Sequence, residues 1–471
     1  MTSESVVGEA SAATKASRAL WAKRLNGLLF FVLCGLLLTV SWLAMQAAGR
    51  TVLKVPIFFD TLEEAVASII GLGFLAFFMT LMTRHVLLLV FSVLDQVDRA
   101  FRDRREERNK SKPKFQPLIT ILAPAFNEGL VIQASITSLL TIDYPNYEVF
   151  IIDDGSTDDT LVKARALEGT YGNARIEILW KPNGGKSSAL NFGLARAAGD
   201  FFVCMDSDSA LSPDSLKAMI GYFEDPSVAA VAGSVEVTNL STIWCKMQYL
   251  EYIKGLNLVR RAQGFVKGVS IVPGPIGMFR KSAVMGVGGY AHDTFAEDCD
   301  LTLALLMDGW KVCFEPRAIA RTEAPEDLIP LIKQRYRWTR GILQAMRKHR
   351  SALFGGKGSF TSVVMLWYMV FEALIWPIMT GVTVFALLAT GVGTAIRPAA
   401  VYFFIMLIAL DTVTSLYCLA IDDKSVLYAL LVPFERLVFT IVLDVCRILT
   451  SVEELLGIRM SWGKLDRKGR V

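Results

Sequence analysis

Tyr147-Glu148-Val149-Phe150-Ile151-Ile152-Asp153-Asp154-Gly155-Ser156 is the stretch on which the fold turns. Val149 to Ile152 is an unbroken run of β-branched and aromatic residues that ends on two carboxylates and a glycine. An apolar run without polar alternation marks a strand buried on both faces. Upstream, Leu118-Ile119-Thr120-Ile121-Leu122-Ala123-Pro124-Ala125 reads the same way and runs into a turn at Phe126-Asn127-Glu128. Ile132–Leu140, between the two runs, has helical spacing. Strand, helix, strand of this kind predicts a parallel α/β sheet. Ligands of such sheets bind beyond the carboxyl ends of the strands, where Asn127, Glu128, Asp153 and Asp154 fall. Ser156, Asp158 and Asp159 are read as caps of the following helix. That leaves Asp153 and Asp154 unexplained by structure alone.

Two further acidic groups follow. Phe201-Phe202-Val203-Cys204-Met205 is another strand, and it ends at Asp206-Ser207-Asp208. Two acids so spaced can share a hard divalent ion, Mg²⁺ or Mn²⁺, that bridges a diphosphate. Between the acidic strand ends lies Asn183-Gly184-Gly185-Lys186-Ser187. Its glycines permit close backbone approach, and Lys186 offers a positive charge to a phosphate or a base carbonyl. The GxxxxGK[ST] spacing is missing, which excludes a P-loop hydrolase. Glu297 and Asp298 open a helix over Cys299–Met307. They read either as helix N-terminal charges worth ~0.3–1 kcal/mol or as a general base for an incoming hydroxyl.

Around this central part the chain is apolar. Mean hydropathy is +0.43, with 53% apolar against 20% charged residues, more apolar than a soluble chain of 471 residues. Residues 27–48, 64–94 and most of 361–450 carry the excess. The net charge of +4 is too small and too dispersed for a nucleic-acid partner. Lys15, Arg18, Lys23, Arg24 and the basic run from Arg99 to Lys114 flank the first apolar segments and predict a cytosolic amino terminus and central domain. Gly27–Ala48 has the length of a span and is too long and too late for a cleaved signal peptide. Glu64–Met82 is the second span. Val363–Ile396, interrupted by Glu372 and Pro377, predicts an interfacial helix and one span, and Pro398–Ile421 and Val426–Thr450 add two more. Five spans conflict in parity with the basic tail of Lys464, Arg467, Lys468 and Arg470, which favours the cytosol. Glu435, Arg436, Asp444 and Arg447 are costly in lipid; they are read as ion pairs or as the lining of a polar route.

The expected order is therefore a cytosolic tail (1–26), two transmembrane helices (27–95), a cytosolic catalytic domain (96–345), interfacial helices (346–373), about three transmembrane helices (374–450) and a basic tail (451–471). Seven scattered cysteines fit reduced thiols, and three dispersed histidines exclude a zinc site.

Asp153-Asp154, Asp206-Ser207-Asp208, Glu297-Asp298 and the QxxRW element of Gln334, Arg337 and Trp338 occur in that order between apolar segments. The set resembles the processive members of glycosyltransferase family 2, the inverting group that contains cellulose, chitin, hyaluronan and poly-N-acetylglucosamine synthases. The resemblance covers roughly residues 115–345. It implies an α/β GT-A domain, with a mostly parallel sheet, inserted between α-helical transmembrane segments of a multi-pass plasma (inner) membrane protein. It also implies roles. Asp153, Asp154, Asn127, Glu128, Lys186 and Asp206 would bind a UDP-sugar, with Asp206 and Asp208 at Mg²⁺ or Mn²⁺. Asp298, with Glu297 beside it, would be the catalytic base. Gln334 and Arg337 would steady the leaving diphosphate, and Trp338, Gly274 and Pro275 would meet the growing polysaccharide. Guanidinium suits oxyanions and indole suits the apolar face of a sugar. Arg335 and Tyr336 receive no role.

The family's usual Thr is Ala296 here. Gln334-Arg335 in place of a Gln pair looks closest to poly-β-1,6-N-acetylglucosamine synthases, which implies UDP-N-acetylglucosamine, a biofilm exopolysaccharide and room for a small membrane accessory subunit. The alternatives are a cellulose, β-glucan or hyaluronan synthase using other UDP-sugars, and a non-processive polyprenyl-phosphate glycosyltransferase, which has no need of the QxxRW element. A membrane receptor or transporter with a nucleotide-sensing domain would show no turnover.

Overall fold

The computed structural model describes residues 62–108, 115–354, 358–388 and 396–458. The expected first span, Gly27–Ala48, and the basic tail from Lys464 lie outside the described residues. The chain divides into two compact units, one of Leu87–Thr380 with Val442–Val471, the other of Met1–Val86 with Gly381–Ile441.

The larger unit is built on a nine-stranded sheet in the order β3-β4-β2-β1-β5-β8-β7-β9-β6. The strands are β1 (Ile119–Ala125), β2 (Tyr147–Asp153), β3 (Gly169–Tyr171), β4 (Ala174–Trp180), β5 (Phe201–Cys204), β6 (Ser209–Leu211), β7 (Val228–Val237), β8 (Gly277–Arg280) and β9 (Lys311–Thr322). β4, β2, β1 and β5 pair in parallel, and β7 pairs in parallel with β9. β3, β8 and β6 attach antiparallel. Every residue of β2 is buried, as its unbroken apolar run requires. Leu122, Ile152, Phe202, Phe279, Tyr290 and Leu305 form one core with helices above the sheet. Each large apolar side chain removed from water there contributes ~1.5–3 kcal/mol.

Register fixes the functional edge. Ala125 pairs with Asp153, Asp153 with Trp180, and Leu122 with Cys204. The chain therefore leaves β1, β2 and β5 on one edge of the sheet, carrying Asn127-Glu128, Asp154 and Asp206 out together.

Among the described residues, four helices are long and apolar enough to cross a membrane, by length and composition: Ala76–Arg104, Phe360–Phe385, Phe404–Ile421 and Val426–Leu455. The first lies within a helix over Leu62–Arg108 and falls further along the chain than Glu64–Met82. Phe360–Val370 runs through a π-helical turn, Phe371–Ile375, straight into Trp376–Leu388. The widened turn just ahead of Pro377, which lacks an N–H, lets the helix pass the expected interruption. In the smaller unit, Met406, Leu410 and Val413 pack against Phe78 and Met82. Within that unit Arg436 Nε donates to Asp411 Oδ2 at 2.5 Å. In the larger, Arg447 Nη1 donates to Asp444 Oδ1 at 2.8 Å. Arg436, Asp444 and Arg447 of the last apolar segment thus have ionic partners, and Glu435 accepts from Thr440 Oγ1 at 3.4 Å. The six described cysteines are buried and form no disulfide with one another.

Candidate active site

The neighbouring carboxylates at the end of β2 have different surroundings. Asp154 is committed to the protein. Its carboxylate accepts from Lys181 Nζ at 2.5 Å, from Gly185 N–H at 2.7 Å and from Gly184 N–H at 3.1 Å, while its carbonyl accepts from Asn183 Nδ2 at 2.9 Å. Gly155 next to it has φ +73° and faces Asn183, where a Cβ would stand 2.7 Å from a backbone nitrogen. Asp154 therefore anchors the Asn183-Gly184-Gly185 turn and through it the start of the Lys186–Leu194 helix. Asp153 has 0% exposure; Oδ2 accepts from Ser156 N–H at 3.2 Å, and Oδ1 is buried with no hydrogen-bond partner. An acceptor left without a partner at such depth costs ~1–3 kcal/mol.

Asn127, with φ +55°, and Glu128 are half-buried in the turn after β1. Asn127 N–H donates to Ser156 Oγ at 2.9 Å, Asn127 Oδ1 accepts from Thr157 N–H at 2.7 Å, and Glu128 N–H donates to Thr160 Oγ1 at 2.7 Å. Of the expected caps, Asp158 takes Thr160 N–H at 3.0 Å, whereas the hydroxyl of Ser156 goes to the Asn127 turn instead.

Lys186 joins the remaining acids. Its Nζ lies 2.7 Å from Asp206 Oδ1 and 2.8 Å from Glu297 Oε1. Burial works against its charge, but Asp206 and Glu297 outweigh it and hold the pKa well above the ordinary lysine value. Asp298 follows Glu297 at the head of the Glu297–Met307 helix. Its Oδ1 accepts from Cys299 N–H at 2.8 Å and its Oδ2 from Gly274 N–H at 3.2 Å. Burial, then the charge of Glu297, push the Asp298 carboxyl up to about 6, against the pull of Lys186. Gly274 belongs to the turn closed by Ile276 N–H on Pro273 O at 3.1 Å, with Pro275 half-buried at its tip. A Cβ on Gly274 would stand 2.7 Å from Lys186 Nζ. Asp208 is buried, and its Oδ1 accepts from Ser209 Oγ at 3.3 Å.

Lys186, Asp206, Gly274, Glu297 and Asp298 are therefore brought together by direct contact, with Asp153 and Asp154 one turn away. Gln334, Arg337 and Trp338 lie on a long helix, Leu328–Lys348, whose Gly341 abuts Ala296 just before the Glu297-Asp298 pair. Gln334 is buried, its Oε1 without a partner. No group of three or more His, Cys, Asp or Glu side chains among the described residues forms a metal cage.

Three positioning residues escaped sequence reading. Lys181 fixes Asp154, but its residue type does not set it apart from Lys186 in Lys181-Pro182-Asn183-Gly184-Gly185-Lys186. Thr302 Oγ1 donates to Asp298 O at 2.6 Å and accepts from Val272 N–H at 3.0 Å, tying Asp298 to the Gly274 turn. Its spacing of four from Asp298 was the available signal. Gln344 Oε1 accepts from Phe295 N–H at 3.1 Å, a contact across 49 residues that no local pattern announces.

Residues 116–341 match the family described as "Glycosyltransferase like family 2". The poly-β-1,6-N-acetyl-D-glucosamine synthase of Staphylococcus aureus (strain COL) is 34% identical over 224 residues, which are 47% of this chain and 54% of that protein. The synthase of the same name from Staphylococcus epidermidis is 31% identical over 224 residues, with the same shares. The chain spans about half the length of these curated relatives. A mannosyltransferase from Pyrobaculum calidifontis in complex with GDP-Man and Mn²⁺ superposes with a TM-score of 0.52 at 19% identity, covering 80% of this chain and 99% of that one, which shows a GT-A-like fold. The family match thus covers the part of the chain that carries the nine-stranded sheet.

Proposed function

We propose that the chain is a processive, inverting membrane glycosyltransferase that extends a β-linked polysaccharide from a UDP-sugar, with UDP-N-acetylglucosamine the first donor to test. The names of the Staphylococcus relatives support that donor and product. The observation that carries the reading is the setting of Asp298, half-buried beside Glu297 and oriented by two backbone N–H groups.

The open Oδ1 of Asp153 suits the N–H of a uracil ring. Asp206 and Asp208 would hold Mg²⁺ or Mn²⁺ together with the diphosphate. Two carboxylates plus substrate phosphates is a donor set these ions accept, and Asp206 already takes a cation, the Lys186 ammonium, at 2.7 Å. The bound ion would offset the charge of the departing UDP. Asp298 takes the proton from the acceptor hydroxyl as that oxygen forms its bond to the anomeric carbon and the bond to UDP breaks, with inversion. Its pKa of about 6 leaves it ionised near neutrality yet more basic than an ordinary aspartate. Arg337 and Gln334 steady the leaving group, and Trp338 carries the acceptor sugar. The central domain faces the cytosol, and the apolar helices pass the product across the bilayer, with a small accessory subunit as a further partner.

Purified protein in detergent, given a panel of radiolabelled UDP-sugars with Mg²⁺ or Mn²⁺, tests this directly. Retention of a high-molecular-weight, glycosidase-sensitive product from UDP-N-acetylglucosamine is the expected result. A long product from another UDP-sugar would reassign the donor. A single sugar on a polyprenyl phosphate, or no turnover, would overturn the reading.

A further inference from the structure

Arg335 sits inside the QxxRW element and has no part in the reaction as proposed. It is 7% exposed, and it lies three residues before Trp338 on the Leu328–Lys348 helix, a spacing that puts both side chains on one face. Its Nη2 donates to Glu251 Oε2 at 2.6 Å, and both side chains are largely buried. Glu251 ends the Ile243–Glu251 helix, and the next residue, Tyr252, opens a π-helical turn, Tyr252–Asn257. The guanidinium carbon stands 4.3 Å from the centroid of the Trp338 ring and 5.8 Å from that of Tyr252. A planar cation thus covers one face of the indole, and its ion pair keeps it from swinging away.

We infer that Arg335, held by Glu251, is a positioning residue for the acceptor: it closes one face of Trp338, fixes the ring and leaves the opposite face as the surface on which the sugar stacks. The inference rests on the reading of Trp338 as the acceptor platform. Arginine is suited to this in a way lysine is not, because the guanidinium is flat and can stack while it keeps a carboxylate partner. A buried ion pair contributes little net stability compared with an apolar replacement. What this pair supplies is a single ring orientation. A stacking surface fixed before the sugar arrives binds it without the entropy loss of ordering a mobile indole.

The test uses the full chain in detergent with radiolabelled UDP-N-acetylglucosamine and a short N-acetylglucosamine oligosaccharide as acceptor. Arg335→Ala is expected to raise the acceptor KM about 5- to 10-fold and shorten the product, with the donor KM within about twofold. Arg335→Lys falls between the two, and Glu251→Gln moves the same way by less. The decisive measurement is a double-mutant cycle. If Arg335 acts through Trp338, Arg335→Ala adds nothing to the acceptor KM in a Trp338→Ala background. Additive effects, as expected of a merely structural ion pair, would overturn the inference, and so would a rise in donor KM alone. If Trp338→Ala itself leaves acceptor KM and chain length unchanged, the platform reading fails and the clamp with it. Normal values for Trp338→Ala are thus separate from a failure confined to Arg335. Should Arg335→Ala not fold, Glu251→Gln, which keeps shape and hydrogen bonding, and its own cycle with Trp338→Ala decide the matter.

Discussion

Gly341→Ala should damage catalysis at a position that touches no substrate. Gly341 lies within the Leu328–Lys348 helix, where alanine is ordinarily favoured over glycine by ~1 kcal/mol. Here a Cβ would stand 2.5 Å from Ala296 Cβ, 2.6 Å from Ala296 N and 2.9 Å from Phe295 C. Carbon atoms in contact prefer ~3.5–4.0 Å, so helix and loop must part by roughly 1 Å. The obstructing atoms are backbone and a Cβ, and no flexible side chain can swing aside. Overpacking of this kind costs ~1–3 kcal/mol, which offsets or exceeds the propensity gain. The displacement falls on the residues directly before Glu297 and Asp298, and a misplacement of about 1 Å lowers turnover on the order of 100-fold. Transfer rate and thermal unfolding midpoint, measured on the same preparation, check both parts. Gly286→Ala is the control, since a Cβ at that helical position meets nothing within 4 Å. It should leave turnover alone and raise stability by up to ~0.5–1 kcal/mol. Wild-type turnover in Gly341→Ala, with stability raised as in the control, would refute the close-approach argument.

Other outcomes follow from the same contacts. Because the base works only when deprotonated and its pKa is pushed up to about 6, transfer should rise with pH through about 6 and then level, and Asp298→Asn should abolish it. Lys186→Met removes a positive charge that pulls Asp298 down, so the acid limb of that profile moves to higher pH; an unmoved limb would place the base elsewhere. Asp154→Asn gives up the charge that holds Lys181 and the Gly184–Gly185 turn, and the donor KM should rise about tenfold or more, from ~1.5–3 kcal/mol per charged hydrogen bond. An unchanged donor KM contradicts that role. In the smaller unit, Arg436→Met leaves buried Asp411 without its guanidinium and should cost ~3–5 kcal/mol of stability, most of it regained with Asp411→Leu. A midpoint unaffected by Arg436→Met counts against the pair.

The strands that bear the acids were legible because burial on both faces leaves no room for alternation. Val149–Ile152 and Phe201–Cys204 announce themselves by composition, and register then carries their ends to one edge. The antiparallel half of the sheet was less readable: β8 is only Gly277–Arg280 and β6 only Ser209–Leu211, too short for any period to develop. Within the site, residue type singled out the candidate acids and Lys186, and it failed on the groups that hold them. Asp153 and Asp154 are indistinguishable in sequence. They differ because the Asn183–Gly185 turn folds back onto one of them and leaves Oδ1 of the other open. The charges of the last apolar segment read alike in sequence as ion pairs or as a polar lining, and no local pattern announces that Asp411, an acid in a different helix, meets Arg436.

The same limit explains the QxxRW helix. Its motif residues, Gln334, Arg337 and Trp338, stood out only through the family resemblance, and the helix that carries them is held by a stripe at Tyr336, Arg340, Gln344 and Lys348, spaced by four and so on one face. Tyr336 donates to Glu453. Arg340 Nε donates to Glu454 at 2.7 Å, and its Nη2 reaches Ile458 O. Gln344 bridges Glu454 and the Phe295 N–H at 3.4 and 3.1 Å. Lys348 Nζ lies 2.8 Å from both Asp293 and Asp300, and His349 Nε2 lies 2.9 Å from Asp300. In sequence these are only the polar and basic surface of an amphipathic helix. In the folded chain these contacts tie the helix to Asp293 and Phe295 before the Glu297-Asp298 pair, to Asp300 just after it, and to the helix end at Glu453–Ile458. A helix bound on both sides in this way cannot slide relative to the Glu297-Asp298 pair without breaking several charged hydrogen bonds at once, each worth ~1.5–3 kcal/mol. A rigid separation of that kind is what the proposed roles of Asp298 as base and Trp338 as stacking surface for one acceptor sugar would require.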